Sequence, residues 1–202
     1  MGDVARMELV GGHTAVDYVN TLGGKPDDPD DEYLSSYRDL LTWLGRAGVM
    51  DAAQIRRLQH AAESDPPGAA AAHQQALHLR KALDEILRSR LASHPSARHD
   101  REIVREFYAD AVANATLAED NTGYRLTWVN DGPPALRSPL WRLADRATNL
   151  LRDEPLQRLN RCGQCRWLFL DLSRNRSRRW CSMNACGAIT KMRRYRAAHR
   201  SD

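Results

Sequence analysis

The chain has 202 residues, 42% of them hydrophobic and 28% charged, with a formal net charge of +4. That supplies a core and allows one helical domain with a small appendage. No run approaches the roughly 18 apolar residues of a membrane span, and MGDVARMELVGG lacks the basic-then-apolar layout of a secretory signal, so a cytoplasmic protein with no membrane partner is expected.

In chain order, LVGGHTAVDYVNTL (Leu9 to Leu22) opens on a Gly pair and then spaces Ala15, Val16, Val19 and Leu22 as a short helix does. His13, Asp17 and Asn20 lie on this segment. They read either as a polar cluster lining an effector pocket or as side chains tying down neighbouring backbone. KPDDPDDEY reads as a solvated Pro- and Asp-rich loop; weak divalent-cation binding by Asp27, Asp28, Asp30, Asp31 and Glu32 is the alternative. Helices are predicted over 33–47, over 52–63 with Asp51 as cap, over 69–93 and over 98–118. A short strand is predicted over 124–129, a turn over 130–134, and a further helix over 136–152 with Leu140, Leu143, Ala144, Ala147 and Leu151 inward. No Ser/His/Asp set, phosphate-cradling glycine loop or carboxylate pair stands out, so an enzyme is not expected.

The four cysteines fall within 25 residues, as Cys162-x2-Cys165 and Cys181-x4-Cys186 separated by fifteen residues. In a reducing compartment such pairs are metal ligands more often than disulfides. Four thiolates around one ion make a structural Zn2+ site with no open position, which is a staple and a poor catalyst. The spacer suits a β-hairpin, RWLFLDL and SRRWC with SRNR as its turn, and a helix follows over ACGAITKMRRYRAAHR. The expected fold is therefore mostly α: an N-terminal helical domain with a short β element over 1–155, then a small treble-clef-like zinc module, a β-hairpin plus a helix, over 156–202. Trp167 and Phe169 are expected to form that module's small core.

Charge is segregated. Residues 161–200 hold eleven Lys and Arg against one acid, Asp171, while residues 1–160 hold nineteen bases and twenty-four acids. A local excess of this size points to a polyanionic partner, DNA or RNA. Arg174, Arg176, Arg178 and Arg179 fall on the hairpin; Lys191, Arg193, Arg194 and Arg196 fall on the helix, with Arg200 continuing the face of Arg193 and Arg196. Arginine suits bidentate contacts to phosphate or guanine.

Cys162-x2-Cys165, WLFLD, SRNRSRRWCSM and Cys186-Gly187 resemble the CGNR zinc finger, and LVGGHTAVDYVNTL resembles the opening of the ABATE domain that precedes this finger in bacterial proteins. The resemblance implies a stress-response regulator of transcription: an ABATE-like domain over 1–155 and a DNA-binding finger over 156–202. One departure is visible. The naming motif Cys-Gly-Asn-Arg reads Cys186-Gly187-Ala188-Ile189 here. Three roles stay open: a regulator whose helical part senses a small-molecule effector or forms a homodimer, a zinc-stapled protein-interaction module, and an enzyme sited in the helical part.

Overall fold

Side-chain capping marks where several of the helices begin. The computed structural model describes residues 2–26, 28–121, 123–128 and 135–199, with the side chains of 28, 120, 194, 197 and 198 excepted. Asp51 and Gln54 form a reciprocal capping box, Gln54 N donating to Asp51 Oδ1 at 2.8 Å and Asp51 N to Gln54 Oε1 at 3.2 Å. Asp65 accepts from Gly68 N at 2.9 Å, and Pro66 occupies the first helical position. A missing N–H costs nothing at that position, so the Pro-Pro stretch starts a helix.

The chain folds as two compact units, Met1–Tyr33 together with Pro155–Asp202, and Leu34–Glu154. The second unit is helical. It holds α2 (Tyr37–Arg46), α3 (Ala52–Ser64), α4 (Pro66–Leu91), α5 (Arg98–Ala113) and α6 (Ser138–Asp153). Leu40, Leu41, Trp43, Leu79, Leu83, Leu143 and Leu150 fill its core. Leu150, with Leu151 half-buried, completes the inward stripe of α6, and Val112 of α5 is exposed. The helix predicted over 98–118 ends at Ala113, and Thr116–Asp120 (β3) pairs antiparallel with Gly123–Thr127 (β4). Thr116 and Leu117 continue no buried helical stripe; they gain partners by facing the alternating YRLT segment. The turn predicted over 130–134 lies outside the described residues.

The first unit holds α1 (Thr14–Val19), β1 (Leu22–Lys25), β2 (Asp28–Glu32), β5 (Leu159–Arg161), β6 (Leu168–Leu170) and α7 (Ala188–Ala198), with a π-helical turn, Met183–Gly187, leading into α7. Two expectations are corrected in this unit. The acidic stretch is a hairpin, β2 pairing antiparallel with β1 in the register Leu22 to Glu32, and its Asp27 lies outside the described residues. The hairpin of the cysteine module is β5 with β6, in the register Leu159 to Leu170. It flanks the Cys162–Cys165 turn, and the return segment 177–181 is not a strand. The physical reason is Asp171. Its carboxylate accepts from Ser173 N at 3.0 Å and from Arg178 N at 3.0 Å, and Gly163 N donates to Arg179 O at 3.0 Å, so the return chain is held by these separate bonds and not by a ladder.

Candidate metal centre and the basic surface around it

Cys162 N donates to Trp167 O at 2.8 Å, which closes the turn between β5 and β6 and sets Cys162 and Cys165 on one side of it. Gly163 N donates to Arg179 O at 3.0 Å, bringing the return segment and Cys181 alongside. Cys186 comes from the π-helical turn, where Gly187 N donates to Ser182 O at 3.0 Å. Ala188 and Ile189 begin α7, both exposed.

The four Sγ atoms lie within 4.8 Å of one another, with Cys165 to Cys181 and Cys181 to Cys186 each at 3.6 Å. Thiolates at about 2.3 Å from a tetrahedral Zn2+ stand about 3.8 Å apart. A disulfide needs about 2.05 Å, and all four cysteines are free. The donor set and its spacing therefore fit Zn2+, held by Cys162, Cys165, Cys181 and Cys186, with the protein filling every position. Without a cation the sulfurs oppose one another. Donation from Cys165 and Cys181 holds the Cys162 thiol far below its usual range. The bond to Cys162 pushes Cys165 up to about 12 and also raises Cys181, and burial raises Cys186. Four thiolates coexist only when a cation offsets their charge, which is what the ion supplies, along with folding free energy on the order of 10 kcal/mol.

Phe169 is fully buried and packs with Cys162, Cys181 and Cys186, with Trp167 and Trp180 partly buried against them. Gln164, in the Cys162–Cys165 turn, accepts from Thr190 Oγ1 at 3.4 Å and Arg193 Nη1 at 3.2 Å, linking turn to helix.

The basic residues divide into two groups. Arg174, Arg176, Arg179, Lys191, Arg193 and Arg196 are exposed. Arg178 turns inward: its guanidinium sits 4.2 Å from the Phe169 ring centre, Nη2 donates to Val10 O at 2.8 Å and to Cys181 O, and Nε donates to Trp180 O at 3.0 Å. The Arg194 side chain and Arg200 lie outside the described residues. Asp171, the one acid of this stretch, is 1% exposed. Its bonds to Ser173 first, and then Arg178, keep its carboxyl below the usual range.

His13, Asp17 and Asn20 come together around the N-terminal loop. His13 caps α1, Nδ1 accepting from Ala15 N at 3.1 Å. Asp17 Oδ1 accepts from Gly11 N at 2.7 Å, and burial raises its carboxyl to about 6 against the pull of the Gly11 and Val10 amides and of Arg178. Asn20 acts as a strand segment would: Nδ2 donates to Leu168 O and Oδ1 accepts from Leu168 N, each at 2.8 Å. With Leu170 N on Gly11 O at 2.8 Å, these bonds fasten the free edge of β6. Sequence reasoning missed the bracing roles of Arg178, Asp171 and Gln164; the signal available was that Asp171 stands alone among eleven bases.

Residues 12–154 match the family model named ABATE, described as a putative stress-induced transcription regulator, and residues 158–199 match the CGNR zinc finger. No curated protein matches the chain. No helix of the described residues is long and apolar enough to cross a membrane.

Proposed function

The chain belongs to the ABATE family and ends in a CGNR zinc finger, and from that premise we propose that it is a cytoplasmic, non-enzymatic regulator of transcription that binds DNA through the zinc-braced module. The observation that carries this reading is the exposure of six bases, Arg174, Arg176, Arg179, Lys191, Arg193 and Arg196, around a closed four-cysteine cluster whose one neighbouring acid in residues 161–200 is buried and internally bonded. No local counter-charge within that stretch offsets them, so their charge is available to phosphates. Metal bracing matters because a module with so small an apolar core holds arginines in fixed positions only if something else orders the chain. Arg194 joins the set by sequence. Ala188 and Ile189 stand where the motif that names the finger has Asn and Arg, so any base contact made by that Arg is absent here. The helical unit senses an effector or dimerises in this reading; His13, Asp17 and Asn20 are engaged in bracing the first unit.

A second reading has its own observation. Met183, Ile189, Met192 and Tyr195 leave 66%, 42%, 54% and 63% of their surfaces exposed on the π-helical turn and α7. A protein-interaction face would use such residues. Selection from random duplexes with zinc-replete protein at two salt concentrations separates the readings. Enrichment of a sequence motif supports the regulator. Uniform, salt-sensitive retention leaves a nonspecific polyanion binder, with the same selection on RNA distinguishing the polymer. No retention, with a salt-insensitive protein partner, supports the interaction module.

A further inference from the structure

A cavity of about 410 Å³ opens in the first unit directly beside the cysteine cluster, with Cys165, Cys181 and Cys186 in its wall. The size is that of a small-molecule site. A further wall is aromatic: the rings of Tyr33 and Trp167 stand 6.3 Å apart, centre to centre, tilted by 52°. The two rings pack as one aromatic wall, and Gly23 lies close against it: a Cβ there would come within 3.2 to 3.3 Å of Asp31 Cβ, the Tyr33 ring and Trp167 Nε1.

The charged residues of the lining are mostly acidic. Glu8, Asp30 and Asp31 line the cavity together with one base, Lys25. Four thiolates around a dication carry two negative charges in excess, and three of the four cysteines are lining residues. Ile189 completes the wall from α7. It occupies the position where the naming motif has Arg, so this chain places a neutral side chain against walls that favour a cation.

We propose that this cavity binds a small organic cation of the guanidinium or alkylammonium class, with Asp30, Asp31 and Glu8 as counter-charge and Tyr33 and Trp167 as the aromatic wall. An aromatic face attracts a desolvated cation through its quadrupole, and nearby carboxylates add fork-type hydrogen bonds to a guanidinium. None of the exposed arginines is a lining residue, although Arg193 donates to Gln164 of the lining at 3.2 Å.

The test is calorimetric titration of the zinc-loaded full chain with N-acetyl-arginine amide, against N-acetyl-citrulline amide, which has the same shape and no charge. The expected dissociation constant for the arginine probe is on the order of 0.1 to 1 mM, with citrulline at least about tenfold weaker. Ile189→Arg, which supplies the cation from the chain, and separately Asp31→Asn each weaken arginine binding by about tenfold or more at unchanged zinc content. No arginine binding up to about 10 mM, equal binding of citrulline, or wild-type affinity in both variants overturns the proposal. If a variant loses zinc, the comparison of the two probes on the wild-type chain decides alone. No DNA is present, so this result and that of the duplex selection stand or fall separately.

Discussion

Arg178 sits in the most basic part of the chain, yet its side chain braces the fold. Replacing it with Ala removes donors from three backbone carbonyls, those of Val10, Trp180 and Cys181, and removes the cation from the Phe169 face. A hydrogen bond from a charged donor is worth about 1.5 to 3 kcal/mol, and a cation over a buried ring about 1 to 2 kcal/mol. Because water can reach part of this half-buried group, a total of about 3 to 5 kcal/mol is expected, against a domain stability of about 5 to 15 kcal/mol. The loss falls on the segment that carries Cys181, so zinc retention weakens with it. The assay pairs thermal unfolding with chelator-challenged zinc release, run beside Arg176→Ala, whose side chain is exposed. Arg178→Ala is predicted to unfold earlier and release zinc faster, and Arg176→Ala to match wild type within about 0.5 kcal/mol. If Arg178→Ala keeps wild-type stability and zinc while losing affinity for duplex DNA, Arg178 is a contact residue and the reasoning fails.

Cys165→Ser removes one of four ligands, and purified protein should then carry far less than one zinc per chain by elemental analysis; full metal content would mean the four sulfurs do not share an ion. Asn20→Ala leaves the fully buried Leu168 without partners for its N–H and C=O, a cost of about 2 to 5 kcal/mol; denaturant midpoints check this, and a shift under about 1 kcal/mol would deny Asn20 its strand-like role. Asp17 has a folded pKa of about 6 against 3.8 in an unfolded chain, so its contribution is complete below pH 3.8 and is lost as pH rises through about 6. Asp17→Asn should therefore gain on wild type by on the order of 2 to 3 kcal/mol between pH 4 and 7; a difference independent of pH would show that Asp17 is not held protonated.

The zinc site was legible because its ligands are adjacent in sequence and their spacing encodes their geometry. The helices of the second unit were legible from the apolar period and from Asp51 as a cap, but the start of α4 at Pro66 was not, because Pro66 and Pro67 read as a break until Asp65 is seen to cap them. What stayed hidden depends on distant partners. Nothing local in DPDDE marks β2, because its ladder comes from pairing with Leu22–Lys25. SRRWC has strand composition but meets Asp171 and Gly163 in place of a ladder. Arg178 is indistinguishable from Arg176 until the carbonyl of Val10, far off in sequence, arrives to accept its hydrogen bond. The cavity walls are likewise split between residues 8–33 and 164–189, and neither half announces a pocket.

The most direct test of the central claim is the salt dependence of duplex affinity for zinc-replete protein and for Arg174→Ala, Arg176→Ala and Arg179→Ala combined. Each phosphate contact contributes about −0.9 to the slope of log K against log salt. The account predicts that the wild-type slope is steep and that the triple variant is shallower by about 2 to 3, with zinc content unchanged. An equal slope in the two proteins would contradict it, placing these arginines away from the nucleic acid and the zinc-braced basic surface in some other role.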